Sequence, residues 1–302
     1  MSKNPSGSGV PAAVTAYLLW GLFPLYWSLL SRVPILQVLA HRALWCALLV
    51  WLYLLVRGEG LWWRGLPART FWMLVASALL ISVNWSVYIL GVNTGHVLDT
   101  SLGYFINPLI NVLFGVILLR ERLSPLQWLA VGCAAFGVGY MAVQSGSLPW
   151  IALTLAISFA GYGLIRKLVA VDAVHGLALE SAVLVVPGLA YIAWCAVNGS
   201  SVFLHQAPHL DLLIVFGGVL TAVPMALFAY AARRVSMTLL GILQYMAPTV
   251  GLLLGVLVFR ETFGPVQAVT FGCIWLALAI FALDGLRRLF ARRPVIAVPP
   301  PE

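Results

Sequence analysis

Apolar runs of bilayer length, separated by short stretches that hold almost all of the charge, constrain this chain more than any other feature. A helix needs ~20 apolar residues to cross hydrocarbon, because a helix satisfies its own backbone donors and acceptors where no water can. Runs bounded by charges or turn residues fall near 10–30, 35–56, 70–92, 97–119, 126–143, 148–165, 176–197, 212–232, 237–259 and 266–286. The spacing predicts an all-α membrane protein of ten transmembrane helices. Hydrophobic residues make up 62% and charged residues 9% of the 302. A soluble domain carries about 25% charged residues, so a water-soluble fold is excluded. The first run is longer than the core of a cleaved signal and is expected to remain as the first span.

The net charge of +8 is spread in pairs between the apolar runs, with no single basic patch for nucleic acid to bind. Its distribution carries topology instead. With the N-terminus inside, 14 of the 17 basic residues fall in cytoplasmic segments, among them Arg57, Arg64, Arg69, Arg166, Lys167, Arg233 and Arg234. Arg32 and Arg260 fall outside and Arg42 within the second run. The positive-inside bias therefore puts both termini in the cytoplasm. Trp62 and Trp63 suit the aromatic belt at the inner interface. The four cysteines lie singly inside apolar runs, without the spacing of a metal or redox pair.

The string RERLSPLQWLAVGC at 120–133 recurs as RETFGPVQAVTFGC at 260–273, with six identities at a constant offset of 140. Pro108 and Pro248, and Gly115 and Gly255, match at the same offset. Each copy then holds five helices, and an odd number inserts the second copy upside down. The expected organisation is two inverted five-helix repeats at 1–145 and 146–286, followed by a basic, Pro-rich cytoplasmic tail at 287–302. Inversion also explains why Arg120 lies inside and Arg260 outside.

Several strings, LAHRALW (39–45), GYFINPLINVLFG (103–115), RERLSPLQW (120–128), SLPWIAL (147–153) and QYMAPT (244–249), closely resemble the RarD branch of the EamA transporters, in the drug/metabolite transporter superfamily. The likeness runs from about residue 9 to 285. It implies a ten-helix inner-membrane permease with a five-plus-five inverted repeat, and supplies no substrate. The small four-helix exporters of the same superfamily couple to protons through a glutamate in their first helix. Residues 10–30 contain no acidic residue here, so that mechanism does not carry over.

An ionisable side chain inside a span is costly and marks a cavity or a partner. His41 and Arg42 lie in the second run and Glu180 in the seventh, with His41 and Glu180 at near-equivalent repeat positions. They are read either as charges offered to an anionic or zwitterionic solute, with Glu180 as counter-charge or proton site, or as an Arg42–Glu180 structural pair. Pro108 and Pro248 are expected to interrupt the fourth and ninth helices at matching places, which marks binding sites in inverted repeats. Around them Tyr104, Asn107 and Asn111 share one helical face, and Gln244 and Tyr245 precede Pro248. Asn84 and Tyr88 on the third helix extend the same lining, and Pro24 is expected to kink the first. The amides either bind solute or join helices. His96 and Asp99 are read as capping the fourth helix, and His205 with His209 offers only two ligands where a metal takes three or four.

These features point to a secondary transporter that moves a small metabolite or drug-like solute by alternating access, taken as an exporter. No GxxxxGK[ST] string is present to bind ATP. The implied partners are the bilayer, the solute and a proton as candidate coupling ion, with no catalytic residue, metal or cofactor. The alternatives are a membrane-embedded enzyme acting on a lipid, which needs clustered acids or histidines, and a channel or scaffold, which needs a charge ring or filter.

Overall fold

The computed structural model of the chain describes residues 9–94, 97–144, 150–260 and 263–291. The repeat boundary at 145/146, Glu261, His96, the side chain of Asp99 and the tail from 292 lie outside the described residues. Among the described residues every regular element is helical: α1 (Gly9–Gly21), α2 (Phe23–Leu29), α3 (Ile35–Val56), a short 3-10 turn (Trp62–Gly65), α4 (Ala68–Asn93), α5 (Val97–Ile117), α6 (Pro125–Gln144), α7 (Trp150–Leu168), α8 (Ala173–Val197), α9 (Pro208–Ala232), α10 (Met237–Gln244), α11 (Met246–Leu257) and α12 (Pro265–Ala291). Nine helical stretches in the described residues are long and apolar enough to cross a membrane, with α1–α2 and α10–α11 each counted as one, and Leu102–Ile117 of α5 is a shorter apolar tenth. The chain is a multi-pass membrane protein.

Three prolines were expected to break helices, and each behaves according to its neighbours. Pro24 stands in the first turn of α2, and the break falls just before it at Leu22. Pro248 lies inside α11, and its missing N–H accompanies a break three residues earlier at Tyr245, where α10 gives way to α11. Pro108, by contrast, lies inside an uninterrupted α5. The expectation of matching interruptions is corrected there. Next to Pro108, α5 is clamped on both sides: Gly103 abuts Ala152 and Leu155 of α7, and Gly241 of α10 sits against the Pro108 carbonyl.

Helix packing follows small residues, because lipid gives no hydrophobic reason for helices to associate and close backbone approach must supply it. α6 packs on α12, α5 on α7 and α10, α3 on α8 and α9, α4 on α7 and α8, and α1 on α9, α10 and α11. At the α6–α12 contact a Cβ on Gly137 would lie 2.8 Å from the Cβ of Cys273. At α3–α9 a Cβ on Gly218 would lie 2.5 Å from the Cβ of Trp45 and 2.7 Å from its backbone carbon. Large side chains such as Trp72 and Phe136 point away from these contacts, each 65% exposed to the surrounding hydrocarbon.

The repeated string is repeated in backbone detail. Arg120 and Arg260 both adopt φ 55°, a left-handed conformation that L side chains seldom enter. Before them, Leu118 and Leu119 N–H groups donate to Phe114 O at 3.0 and 3.2 Å, and Val258 and Phe259 donate to Leu254 O at 2.9 and 3.0 Å. Elsewhere, Asp172 caps α8 by accepting from Val174 N at 3.0 Å. Partial burial works against its charge, but the N–H groups of Val174 and Ala173 and the neighbouring His175 outweigh this and hold its carboxyl below the usual range.

Gly218→Ala is expected to lower stability by about 1–3 kcal/mol, because Trp45 backbone cannot move aside. Gly132→Ala, with nothing within 4 Å of the added carbon, serves as the neutral control. Unfolding of the purified protein in mixed micelles measures both.

Candidate functional site

His41 and Arg42 are adjacent on α3, so their side chains diverge by about 100° around the helix. His41 is buried against the ring of Phe203, with centroids 4.8 Å apart, and its Nδ1 has no hydrogen-bond partner. Arg42 turns toward α2, α4 and α9. Its Nε donates to Thr221 Oγ1 at 2.9 Å, and the Thr221 hydroxyl in turn donates to Gly217 O at 2.7 Å. The guanidinium carbon lies 5.6, 5.2 and 5.1 Å from the ring centroids of Phe23, Trp27 and Trp85. The hydroxyls of Tyr26, Tyr88 and Tyr104 lie within its electrostatic reach. Among the described residues no carboxylate pairs with it.

A cavity of about 560 Å³ opens beside this group, between α2, the following loop, the start of α3, Tyr88 of α4, and the Gly251–Gly255 face of α11. Pro24, Trp27, Ser28, Ser31 and Phe259 contribute to its wall. Trp27 and Tyr88 therefore belong both to the cavity and to the surroundings of Arg42. The rings of Tyr88 and Tyr104 meet edge to face at 6.1 Å, and Tyr104 is 44% exposed.

Glu180 stands apart from Arg42. It is fully buried, accepts hydrogen bonds from the Ser77 hydroxyl and from Tyr162 Oη at 3.5 Å, and lies 3.6 Å from Nη1 of Arg166. Arg166, which the charge pattern assigns to a cytoplasmic loop, is instead sealed inside the fold, with Nη2 donating to Ala173 O at 3.0 Å. Its guanidinium occupies the space where a side chain at residue 176 would stand, and Gly176 leaves that space empty. The Arg42–Glu180 pair considered from sequence is therefore replaced by Arg166–Glu180. A gap of about 10 Å³, lined by Glu180 and Thr221 among others, separates the two charged groups.

The amides act mainly between helices. Asn84 Nδ2 donates to Leu155 O at 2.8 Å and to Ser158 Oγ at 3.1 Å, joining α4 to α7. Asn107 Nδ2 donates to Ala156 O at 2.9 Å, and Asn111 Nδ2 donates to Asn107 Oδ1 at 3.0 Å and Gln244 Oε1 at 2.8 Å. These bonds tie α5 to α7 and α10. Tyr245 is buried and donates to Phe105 O at 3.2 Å. The structure thus places Pro24 and Tyr88 in the cavity wall, with Arg42 against Trp27 and Tyr104 against Tyr88, and places His41, Glu180 and the amides elsewhere in the helix contacts. Sequence reasoning did not single out Phe23, Trp27, Thr221, Ser77 or Tyr162, and it left Arg166 in a cytoplasmic segment. Of these only Arg166, paired with Lys167 in the last turn of an apolar helix, carried a signal strong enough to find it. Among the described residues no three His, Cys, Asp or Glu side chains cluster as a metal would need.

The description of the EamA-like transporter family matches residues 7–143 and again 148–283. The chain belongs to that family, within its RarD group of permeases. An uncharacterised transporter of Pseudomonas aeruginosa is 45% identical over 93% of this chain and 95% of its own. The RarD protein of Streptomyces exfoliatus is 41% identical over 99% and 98%, and that of Escherichia coli 40% identical over 95% and 97%. A solved crystal structure superposes with a TM-score of 0.71 over 92% of this chain and 98% of the other, at 22% identity, which speaks to the fold alone.

Glu180→Ala is expected to cost about 3–5 kcal/mol, because it strands the buried Arg166 charge. The double substitution Glu180→Met with Arg166→Met is expected to recover much of that loss, measured by the same unfolding titration.

Proposed function

We propose that this EamA-family chain is a secondary-active permease of a small solute, built from two inverted five-helix repeats that exchange access to the Arg42 cavity. The exchange symmetry of the packing supports the repeat. Swapping the halves converts α1–α10/α11 into α7–α5, α3–α9 into α8–α4 and α4–α7 into α9–α1, and every one of these contacts is present. The paired family matches and the shared left-handed turn at Arg120 and Arg260 support it too. The basic residues favour both termini in the cytoplasm of a bacterial inner membrane.

The observation that carries the reading is a difference between two repeat-related contacts. α5 packs closely on α7, joined by Gly103 in the outer half of the span and by Asn107 near its middle. Their repeat counterparts stand apart at the outer ends, where α2 and α11 face each other across the 560 Å³ cavity. Polar contacts close the cytoplasmic side. Glu121 accepts from Met237 N at 2.7 Å, Thr238 N at 3.0 Å and Thr238 Oγ1 at 2.7 Å, fastening the α5–α6 loop to the start of α10. Lys167 donates to the carbonyls of Ala232 and Val235. Alternating access is then an exchange of the two contacts, with the breaks at Leu22 and Tyr245 as hinges. Export is the direction in this reading, and the buried Glu180 is the candidate site of a coupling proton. A lipid-modifying enzyme is less favoured, since the relatives are named as transporters.

Comparing metabolites held by deletion and overexpressing cells nominates solutes, and flux into proteoliposomes tests them. Saturable flux accelerated by solute on the opposite side is expected for at least one. Absence of such flux together with turnover of labelled lipid overturns the transporter in favour of the enzyme.

A further inference from the structure

We infer that the solute is a monoanionic carboxylate with an apolar, ring-bearing body, its carboxylate drawn to Arg42, which stands against Trp27 in the wall of the cavity between α2 and α11. The inference rests on reading that cavity as the solute path.

The argument begins with charge. A guanidinium within a span is costly unless something neutralises it. Of the other buried charges among the described residues, Glu180 faces Arg166, and Asp284 accepts from Ser124 Oγ at 3.0 Å. Arg42 is 7% exposed, and among the described residues its one hydrogen bond goes to a neutral hydroxyl. Phe23, Trp27 and Trp85 offset part of its charge through their ring faces. Rings accept no hydrogen bond of ordinary strength, so the two terminal nitrogens keep their donors for an anion. The planar fork of those donors matches the two oxygens of a carboxylate.

The cavity then selects the rest of the molecule. Its lining residues include Trp27, Leu30, Ile35, Val38, Tyr88 and Phe259, and none is acidic or basic. Its polar groups are hydroxyls, those of Ser28, Ser31 and Tyr88. A second carboxylate would have no second cation. An ammonium would stand beside Arg42 without a counter-charge, since Glu180 is already bound to Arg166, Ser77 and Tyr162 beyond Thr221. Amino acids and cationic drugs are therefore disfavoured, although the charged residues in sequence admitted a zwitterion. A volume of about 560 Å³ suits a one- or two-ring acid.

Calorimetric titration of the purified full-length protein in micelles tests this, with phenylacetate and 3-phenylpropionate as the anions and phenylacetamide, phenethylamine and phenylalanine as the matched neutral, cationic and zwitterionic compounds. The carboxylates are expected to bind saturably and about tenfold or more tighter than the other three, the gap a charge-assisted pair provides. Arg42→Gln is expected to erase that preference while leaving the weak binding of phenylacetamide unchanged. If the variant does not fold, the wild-type series decides alone. Equal binding of the amide or of phenylalanine, no binding of either carboxylate, or a carboxylate preference that survives in folded Arg42→Gln overturns the inference. Counterflow separates the two levels. Carboxylate binding without flux contradicts the permease and leaves the anion site standing, whereas flux of a non-carboxylate contradicts the anion site and leaves the permease standing.

Discussion

A polar group surrounded by hydrocarbon has no water to fall back on, and this one constraint organises the molecule. Many hydrogen-bonding side chains inside the helices reach across to another helix. Tyr17 Oη donates to Leu240 O, Trp51 Nε1 to Ala178 O, Asn84 to Leu155 O and Asn107 to Ala156 O, each at 2.8 to 2.9 Å. Such bonds specify which helices are neighbours, and glycines at the crossing points let the backbones close to the necessary distance. Among the described residues Arg42 stands out as a buried cation with no carboxylate beside it.

Arg42 and Arg166 show how differently the same side chain is used. Arg166 fills a hollow left by Gly176 and faces a carboxylate in the same half of the chain, so it locks α7 to α8. Arg42 has rings and a hydroxyl for neighbours, and one of those rings, Trp27, also walls a cavity. A locked charge contributes to shape. An unneutralised charge beside open space contributes binding, because an incoming anion supplies what the fold withholds.

The spans were legible in sequence because a bilayer demands long apolar runs, and the repeat because Arg120 and Arg260 share a backbone turn that few residues tolerate. The intramembrane charges were legible as positions but not as partners. Whether Glu180 meets Arg42 or Arg166 depends on the missing side chain at Gly176, which no hydropathy pattern encodes. Pro108 and Pro248 look equivalent in sequence, yet α5 stays whole because α7 and α10 grip it, whereas the α10–α11 stretch breaks at Tyr245. The aromatic surroundings of Arg42 were hidden for a related reason. Phe23 and Trp27 lie in α2, whose course is set by the break at Leu22, and Trp85 comes from a third helix.

The central claim is that two repeat-related helix contacts exchange, one opening as the other closes. Leu29 and Val258 flank the cavity mouth, Leu168 and Leu118 are their counterparts at offsets of 139 and 140, and all four are exposed. Spin labels at Leu29 with Val258, and in a second protein at Leu118 with Leu168, report both distances in proteoliposomes. The account predicts reciprocal change during transport: a state with the 29–258 distance shortened has the 118–168 distance lengthened. Distances that stay fixed while solute is carried, or that lengthen and shorten together, would contradict it.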